Sequence, residues 1–350
     1  MKIKRRKSRV VKIGKILIGG NNPVAIQSMA KSKTSDTEKT IRQINELAGC
    51  GCEIVRLAVK DMADARAIKK IKAGTKLPIV ADIHFNWQLA LGAIESGADK
   101  IRLNPGNIYR ANEVRGIISA LKDAKRVLRV GLNSGSVKYS GSRLSMADKL
   151  VKSCLDYIKP IERLKFYDIV ISLKASTVLD TIEAYRKISK VCDYPLHLGV
   201  TATGSPASGA VKSSIALGSL LLEGIGDTLR VSLTDEPAQE VKVAQYILRA
   251  LGLRSFGAEL ISCPTCGRCE VDLVSIVKEL EDKLPVNGKT SPVKVAVMGC
   301  VVNGPGEAKE ADIGVAFGKK EGLFFKHGRP LKKISFSNCA DLLLKELKSL

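Results

Sequence analysis

Between residues 22 and 234 the chain repeats one theme eight times: a short apolar run ending in polar residues, then a helical stretch that opens on a capping residue and closes near glycine. The runs are Pro23–Ser28, Glu53–Ala58, Pro78–His84, Lys100–Asn104, Leu128–Asn133, Asp168–Lys174, Pro195–Thr201 and Thr228–Thr234. They are rich in Val, Ile and Leu, as strands covered on both faces must be. Eight such units select a closed (β/α)8 TIM barrel, since an open doubly wound sheet usually stops at about five or six strands. The helix between the first two runs is expected to open on the capping box Ser35-x-x-Glu38. After Thr234 the run DEPAQEVKVAQYILRALGLRSFG supplies the eighth helix and breaks at Gly257, which puts the domain boundary between 253 and 260.

In such barrels the active site is built at the C-terminal ends of the strands. Here those ends carry Gln27-Ser28, Arg56, Asp82-x-His84, Arg102-x-Asn104, Asn133, Ser172-x-Lys174, His197 to Gly204, and Arg230-x-Ser232-x-Thr234. Taken singly, each is most simply a solvated loop residue or a helix cap. Together they converge Arg56, Arg102, Lys174 and Arg230 on one mouth, among Asn, Ser and glycine-flanked amides. Such a mouth binds phosphate or diphosphate.

Past the boundary the pattern changes to a small α+β module. A loop at Cys263–Cys269, an amphipathic helix at Val271–Leu284, a polar turn at Asn287–Pro292, strands at Lys294–Met298, Ile313–Phe317 and Leu323–Phe325, and a helix at Asp341–Leu350 are expected. Cys263 and Cys266, at C-x-x-C spacing, and Cys300, after a strand, form three-quarters of a thiolate metal site. The fourth ligand is open among Cys269, His327, Cys339 and Glu307, the last on the glycine-rich turn Asn303-Gly304-Pro305-Gly306. An oxygen donor there would be weaker than a thiolate and therefore exchangeable.

The 350 residues contain no apolar stretch approaching the ~20 needed for a membrane span. The basic start MKIKRRKSRVVKIGK lacks the apolar segment of a signal peptide, so a cytoplasmic chain is expected, without a membrane role. Cys50, Cys52, Cys154, Cys192 and Cys339 lie in apolar or helical surroundings and read as reduced thiols. A net charge of +22 suits nucleic acid, an anionic small molecule or an acidic protein. Aromatic residues make up only 4%, too few to interleave a single-strand-binding surface, so no nucleic-acid partner is expected. The alternative from another class is a zinc-stabilised, basic RNA-binding protein using Cys263, Cys266, Cys300 and Cys269 or Cys339.

Ten segments in order (PVAIQSM, EIVRLAV, ADIHF, IRLNPGN, GLNSGS, ISLKAS, YPLHLGVT, EGIGDTLRVSLT, CPTCGR and VMGCVVNGPGE) resemble the bacterial 4-hydroxy-3-methylbut-2-enyl diphosphate synthases of the non-mevalonate isoprenoid pathway. The resemblance implies a TIM barrel over residues 1–255 and, over 256–350, a domain resembling the cluster domain of sulfite reductases. It implies a 4Fe-4S cluster on Cys263, Cys266, Cys300 and Glu307, with Glu307 a catalytic, displaceable ligand. It implies a homodimer in which each cluster domain caps the partner's barrel. The implied substrate is 2-C-methyl-D-erythritol 2,4-cyclodiphosphate, opened by two electrons with loss of the C3 hydroxyl as water. Arg56, Arg102, Lys174, Arg230 and Ser232 would hold its diphosphate, and Asp82, His84, Asn104 and Asn133 would orient it. The donor would be an acidic flavodoxin or ferredoxin, which suits the +22 chain. A pteridine-handling barrel of the dihydropteroate type is the nearest rival for the first domain, but leaves the second unexplained. The chain departs from the family at Ala202, where GVTEAG is usual and GVTATG stands, and at Cys269, an extra thiol read as a bystander.

Overall fold

The computed structural model describes residues 3–137, 143–201, 203–284, 293–302, 306, 308–336 and 339–349. The chain divides into two compact units, Met1–Arg254 and Ser255–Leu350.

The first unit opens on an antiparallel hairpin, β1 (Val11–Ile13) and β2 (Ile16–Ile18). Eight parallel strands follow: β3 (Ala25–Met29), β4 (Ile54–Val59), β5 (Ile79–Ile83), β6 (Lys100–Leu103), β7 (Val127–Asn133), β8 (Ile169–Lys174), β9 (His197–Leu198) and β10 (Thr228–Leu229). Their order is β8-β7-β6-β5-β4-β3-β10-β9, and a parallel bridge from Ile171 to Leu196 brings the last strand back to the first. This is the expected barrel. Its outer helices are α1 (Thr37–Gly49), α2 (Met62–Ala73), α3 (Gln88–Glu95), α4 (Ala111–Asp123), α5 (Met146–Arg163), α6 (Val178–Val191), α7 (Pro206–Leu222) and α8 (Pro237–Ala250).

Three local expectations are corrected. Helix α1 is capped by Asp36, whose carboxylate takes the Lys39 amide, while the Ser35 amide donates to Asp64; a carboxylate one residue later outcompetes the serine. Ladder pairing in the seventh and eighth runs covers only β9 and β10, and the rest of each run is loop that carries Thr201 and Ser232 into the mouth. Helix α8 stops well before Gly257. Gly252, at φ +62°, turns the chain so that its amide reaches Arg249 O and the Leu253 amide reaches Leu248 O.

The hairpin was not foreseen. Val11, Ile13 and Ile18 pack with Ala25, Ile54, Val80, Val127 and Val170, which lie at the N-terminal ends of five barrel strands. It plugs the floor of the barrel and leaves the C-terminal ends as the mouth. The basic arm before it is tied down: Arg5 and Ser8 donate to buried Asp227 (2.9 and 2.8 Å), and Arg9 to Asp193 (2.7 Å).

The second unit is one five-stranded sheet in sequential order: β11 (Ala258–Ser262), β12 (Val293–Met298), β13 (Ile313–Phe317), β14 (Gly322–Lys326) and β15 (Arg329–Ile334). The first three are parallel and the last two antiparallel. Helices α9 (Leu273–Lys283) and α10 (Cys339–Leu347) supply Leu273, Leu280 and Leu343 to a core with Val295, Val297 and Phe317. Ala296, Met298, Ala308, Ala311, Ala316 and Phe325 form the other core cluster. Strands β11 and β15 were missed, and the expected polar turn at 287–292 lies outside the described residues. Among the described residues no helix is long and apolar enough to cross a membrane.

Candidate active site

The barrel mouth encloses a cavity of about 130 Å³. Arg56, Asp82, His84, Arg102, Asn133, Lys174, Arg230 and Ser232 line it, with Arg129, Ser172 and Thr201. Asn104 lies outside the lining; its side-chain oxygen accepts from the Gly106 amide (3.1 Å) and Ser136 hydroxyl (3.2 Å) and shapes the loop after β6. Two glycines make room. A Cβ at Gly131 would stand 2.9 Å from Arg102 Nε, and one at Gly199 would stand 2.5 Å from Lys174 Nζ. Position 202 lies outside the described residues; of its neighbours, Thr201 faces the cavity and the Thr203 hydroxyl donates to Ser232 O.

Five cations in this lining face two carboxylates. Arg102 Nη1 donates to Asp82 (2.9 Å) and to His84 Nε2 (3.1 Å), while Nη2 reaches Gly131 O (3.0 Å). Arg56 lies 3.7 Å from Asp82, and Arg230 grips both oxygens of buried Glu240, at 2.9 and 3.1 Å from Nη2. Glu240 also takes the Ser28 hydroxyl and the Leu233 amide. Burial alone would raise Asp82, but Arg56, His84, Arg102 and Arg129 hold its carboxyl well below the usual range. Arg56 is lowered to about 10 by burial, with Arg230 and Arg102 adding to the effect against Asp82. Lys174 is pushed well below an ordinary lysine by burial and then by Arg56, Arg230, Arg129 and Arg102. The site is thus short of negative charge, the condition an anion corrects.

Sequence reasoning missed the layer beneath. Arg129 and Lys100 are wholly buried, and Lys100 Nζ donates across the barrel to Gln27 (3.2 Å). Among the described residues, Arg129 Nε and Nη1 have no hydrogen-bond partner. Both lie well below their ordinary values, Arg129 from burial and then Arg56, and Lys100 from burial and then Arg129. A signal was present: in KIRL the charges alternate, and period two puts Lys100 and Arg102 on the same, inward face.

In the second unit, β11 and β12 are parallel neighbours with Ser262 opposite Val297, so Cys263 and Cys300 leave the same edge of the sheet. The Cys266–Cys269 turn is closed by the Cys269 amide on Cys266 O (2.9 Å). Thr265, between the first two thiols, has φ +62°, a strained conformation for a β-branched residue that costs about 1–3 kcal/mol and recurs at functional loops. The Gly299 amide points at Cys263 Sγ (3.3 Å). Among the described residues no three His, Cys, Asp or Glu side chains converge as a single ion requires. A cubane cluster presents a separate iron to each thiolate, so its ligands stand apart at the corners; Cys263 and Cys300 after neighbouring strand ends, Cys266 three residues past Cys263, and an amide aimed at a sulfur suit that group.

Two candidates for the fourth ligand are removed. His327 sits in the β14–β15 turn, where Lys326 pairs with Ile313 and Ile313 with Val295, which is the opposite edge of the sheet. Cys339 is buried in the apolar core, and burial pushes its thiol up to about 12. Glu307 lies outside the described residues.

Fold and cavity together define a βα-barrel protein built to receive a polyanion, joined to a thiolate-bearing module. Two family models cover the chain, the GcpE TIM-barrel domain over residues 8–245 and the GcpE protein C-terminal domain over 259–349. The chain belongs to the GcpE family. It is 54% identical to the 4-hydroxy-3-methylbut-2-en-1-yl diphosphate synthase (flavodoxin) of Lawsonia intracellularis, covering 94% of this chain and 92% of that one. The same-named proteins of Fusobacterium nucleatum and Bacillus subtilis are 50% identical, covering 99% and 98% of this chain and 97% and 91% of theirs. Among solved structures, the dihydropteroate synthase of Stenotrophomonas maltophilia superimposes with a TM-score of 0.54 at 13% identity, over 70% of this chain and 98% of that one. That likeness is one of fold.

Proposed function

We propose that this chain is a flavodoxin-dependent oxidoreductase that opens 2-C-methyl-D-erythritol 2,4-cyclodiphosphate and removes its C3 hydroxyl as water, giving 4-hydroxy-3-methylbut-2-enyl diphosphate. The observation that carries the reading is the barrel mouth, where five basic side chains and the carboxylate of Asp82 line a cavity of about 130 Å³, with Glu240 paired to Arg230. A diphosphate supplies the missing charge. Arg56, Arg102, Lys174 and Arg230 hold its oxygens, joined by Arg129 from below and Ser232 from the rim. Asp82 fixes Arg56 and Arg102, and His84, with Arg102 on Nε2 and the Asn107 amide 3.0 Å from Nδ1, orients the carbon skeleton together with Asn133. Asn104 acts on substrate only through the loop it shapes. Burial and the neighbouring guanidinium groups lower Lys174, and a bound anion would favour its charged form.

Residues 1–255 form the substrate domain in this reading and 256–350 the cluster domain. Cys263, Cys266, Cys300 and Glu307 would hold a 4Fe-4S cluster. When bound, such a cluster supplies electrons one at a time and a Lewis-acidic iron beside its exchangeable carboxylate. Support for Glu307 comes from its neighbour Ala308, which is fully buried in the apolar cluster that Cys263 also packs against. The same reading makes the protein a cytoplasmic homodimer that takes its electrons from flavodoxin. The alternative of a zinc-stabilised, basic RNA-binding protein draws no support from the curated relatives.

Anaerobic purification tests the proposal. A brown protein with about four irons and four sulfides per chain, turning over the cyclodiphosphate with reduced flavodoxin, is expected. A colourless protein holding one zinc and lacking turnover would overturn it. Replacing Glu307 with Ala should abolish turnover while much of the iron remains; a fully active variant would remove Glu307 from the ligand set.

A further inference from the structure

Cys269 follows the C-x-x-C pair by three residues and was expected to be idle. Its surroundings give it a task. The Cys269 thiol donates to Val271 O (3.2 Å), which fixes the side chain, and its sulfur lies against the Cα of Gly299: a Cβ built there would fall 2.4 Å from Sγ and 3.3 Å from Cys269 Cβ. The next residue grips the same glycine from the other side, as the Glu270 amide donates to Gly299 O (3.0 Å). Gly299 is therefore held by a sulfur at its Cα and a hydrogen bond at its carbonyl. Its amide, so aimed, meets Cys263 Sγ at 3.3 Å. Leu273 closes the remaining side, 3.5 Å from the same Cβ position.

We propose that Cys269 is a positioning residue for the iron-sulfur site: it holds Gly299 so that the Gly299 amide donates to the ligand sulfur of Cys263. The proposal rests on the cluster reading above. Hydrogen bonds to ligand sulfurs stabilise the more negative, reduced form of a cluster and are among the levers that set its potential. Groups that orient ligands in this way typically alter metal retention by about 10- to 100-fold when removed. Cys269 itself binds no iron in this scheme, since its proton is engaged with Val271 O. The contact also explains why position 299 carries glycine: any side chain there would meet Cys269.

The test uses the anaerobically purified full-length protein. Cys269→Ala should retain about four irons per chain, move the midpoint potential to a more negative value, and lose iron to a chelator about tenfold faster. Cys269→Ser keeps a donor for Val271 O and should fall between Cys269→Ala and the parent, which also serves if the alanine variant folds poorly. Gly299→Ala should shift the potential further, because its methyl group collides with Cys269. Adding Cys269→Ala replaces the 2.4 Å clash with a tight 3.3 Å contact to Cβ that a shift of a few tenths of an ångström relieves, so the double variant should return towards Cys269→Ala alone. Unchanged potential and iron-loss rate in Cys269→Ala would overturn the proposal while leaving the cluster reading intact. A three-iron signal in that variant would overturn it in favour of Cys269 as a ligand. Absence of iron and sulfide from the parent protein would instead sink the cluster reading itself.

Discussion

Alanine at Gly199 is expected to disable the anion site without unfolding the barrel. The added Cβ would fall 2.5 Å from Lys174 Nζ and 2.7 Å from Cε, distances no real methyl group tolerates. The same Cβ would stand a tight 3.1 Å from Arg230 O, and the flexible lysine end is the group that must move. Gly199 lies outside the left-handed region, and alanine adds no backbone strain of its own. Displacing the ammonium forfeits one charge-assisted hydrogen bond to the diphosphate, worth about 1.5–3 kcal/mol. At about 1.36 kcal/mol per decade, kcat/KM should fall roughly 10- to 100-fold. The crowding itself costs about 1–3 kcal/mol of stability, visible as a modest drop in Tm. Anaerobic steady-state kinetics with reduced flavodoxin, run beside Lys174→Ala and the double variant, measure the effect. Both single changes remove the same group, so the double variant should be no worse than Lys174→Ala. Gly199→Ala with parental kcat/KM, or losses that multiply in the double variant, would refute the reasoning.

Glu240→Ala strands Arg230 without its bidentate partner and should lower stability by about 3–5 kcal/mol in urea unfolding, as expected of a broken buried pair. Lys174 titrates below its unfolded value, so between the two pKa values the unfolded chain binds more protons and this group's penalty on the fold shrinks as pH rises. Diphosphate reverses that shift: calorimetry in buffers of different ionisation heat should show net proton uptake on binding, smaller in Lys174→Met. Ile18→Ala removes a fully buried side chain from the barrel floor and should cost about 2–5 kcal/mol by denaturant titration, with KM little changed.

The barrel was legible because its strands are continuous apolar runs and their ends are polar, a contrast that survives without tertiary information. What escaped notice had no such contrast. Strand β15, Arg-Pro-Leu-Lys-Lys-Ile, is exposed along nearly its whole length and carries lysines and a proline, as suits a sheet edge that must not pair further. The β1–β2 hairpin offers only three residues per strand, and its apolar side chains make sense only once a barrel floor exists to receive them. At the site, Arg102, Lys174 and Arg230 were found because they sit at, near or just past strand ends, and Arg56 because it is the charged residue of an otherwise apolar run, although it lies inside β4. Arg129 lies inside β7 and Lys100 opens β6, both away from the C-terminal strand ends where barrel sites are sought. Asn104 shares a strand-end motif with Arg102, yet its side chain turns into its own loop, a difference set by the Gly106 and Ser136 contacts rather than by spacing.

The floor plug also orders events during synthesis. Residues 11–18 leave the ribosome before any barrel strand, but the seat they occupy spans β3, β4, β5, β7 and β8, and Arg5 must find Asp227, 222 positions further along the chain. A segment made before the barrel is therefore among the last able to dock. Until then, Ile54, Val80 and Val127 remain uncovered at one end of a half-built ring, a state open to aggregation. A chain lacking its first twenty residues would keep every mouth residue and still be expected to fold slowly and incompletely.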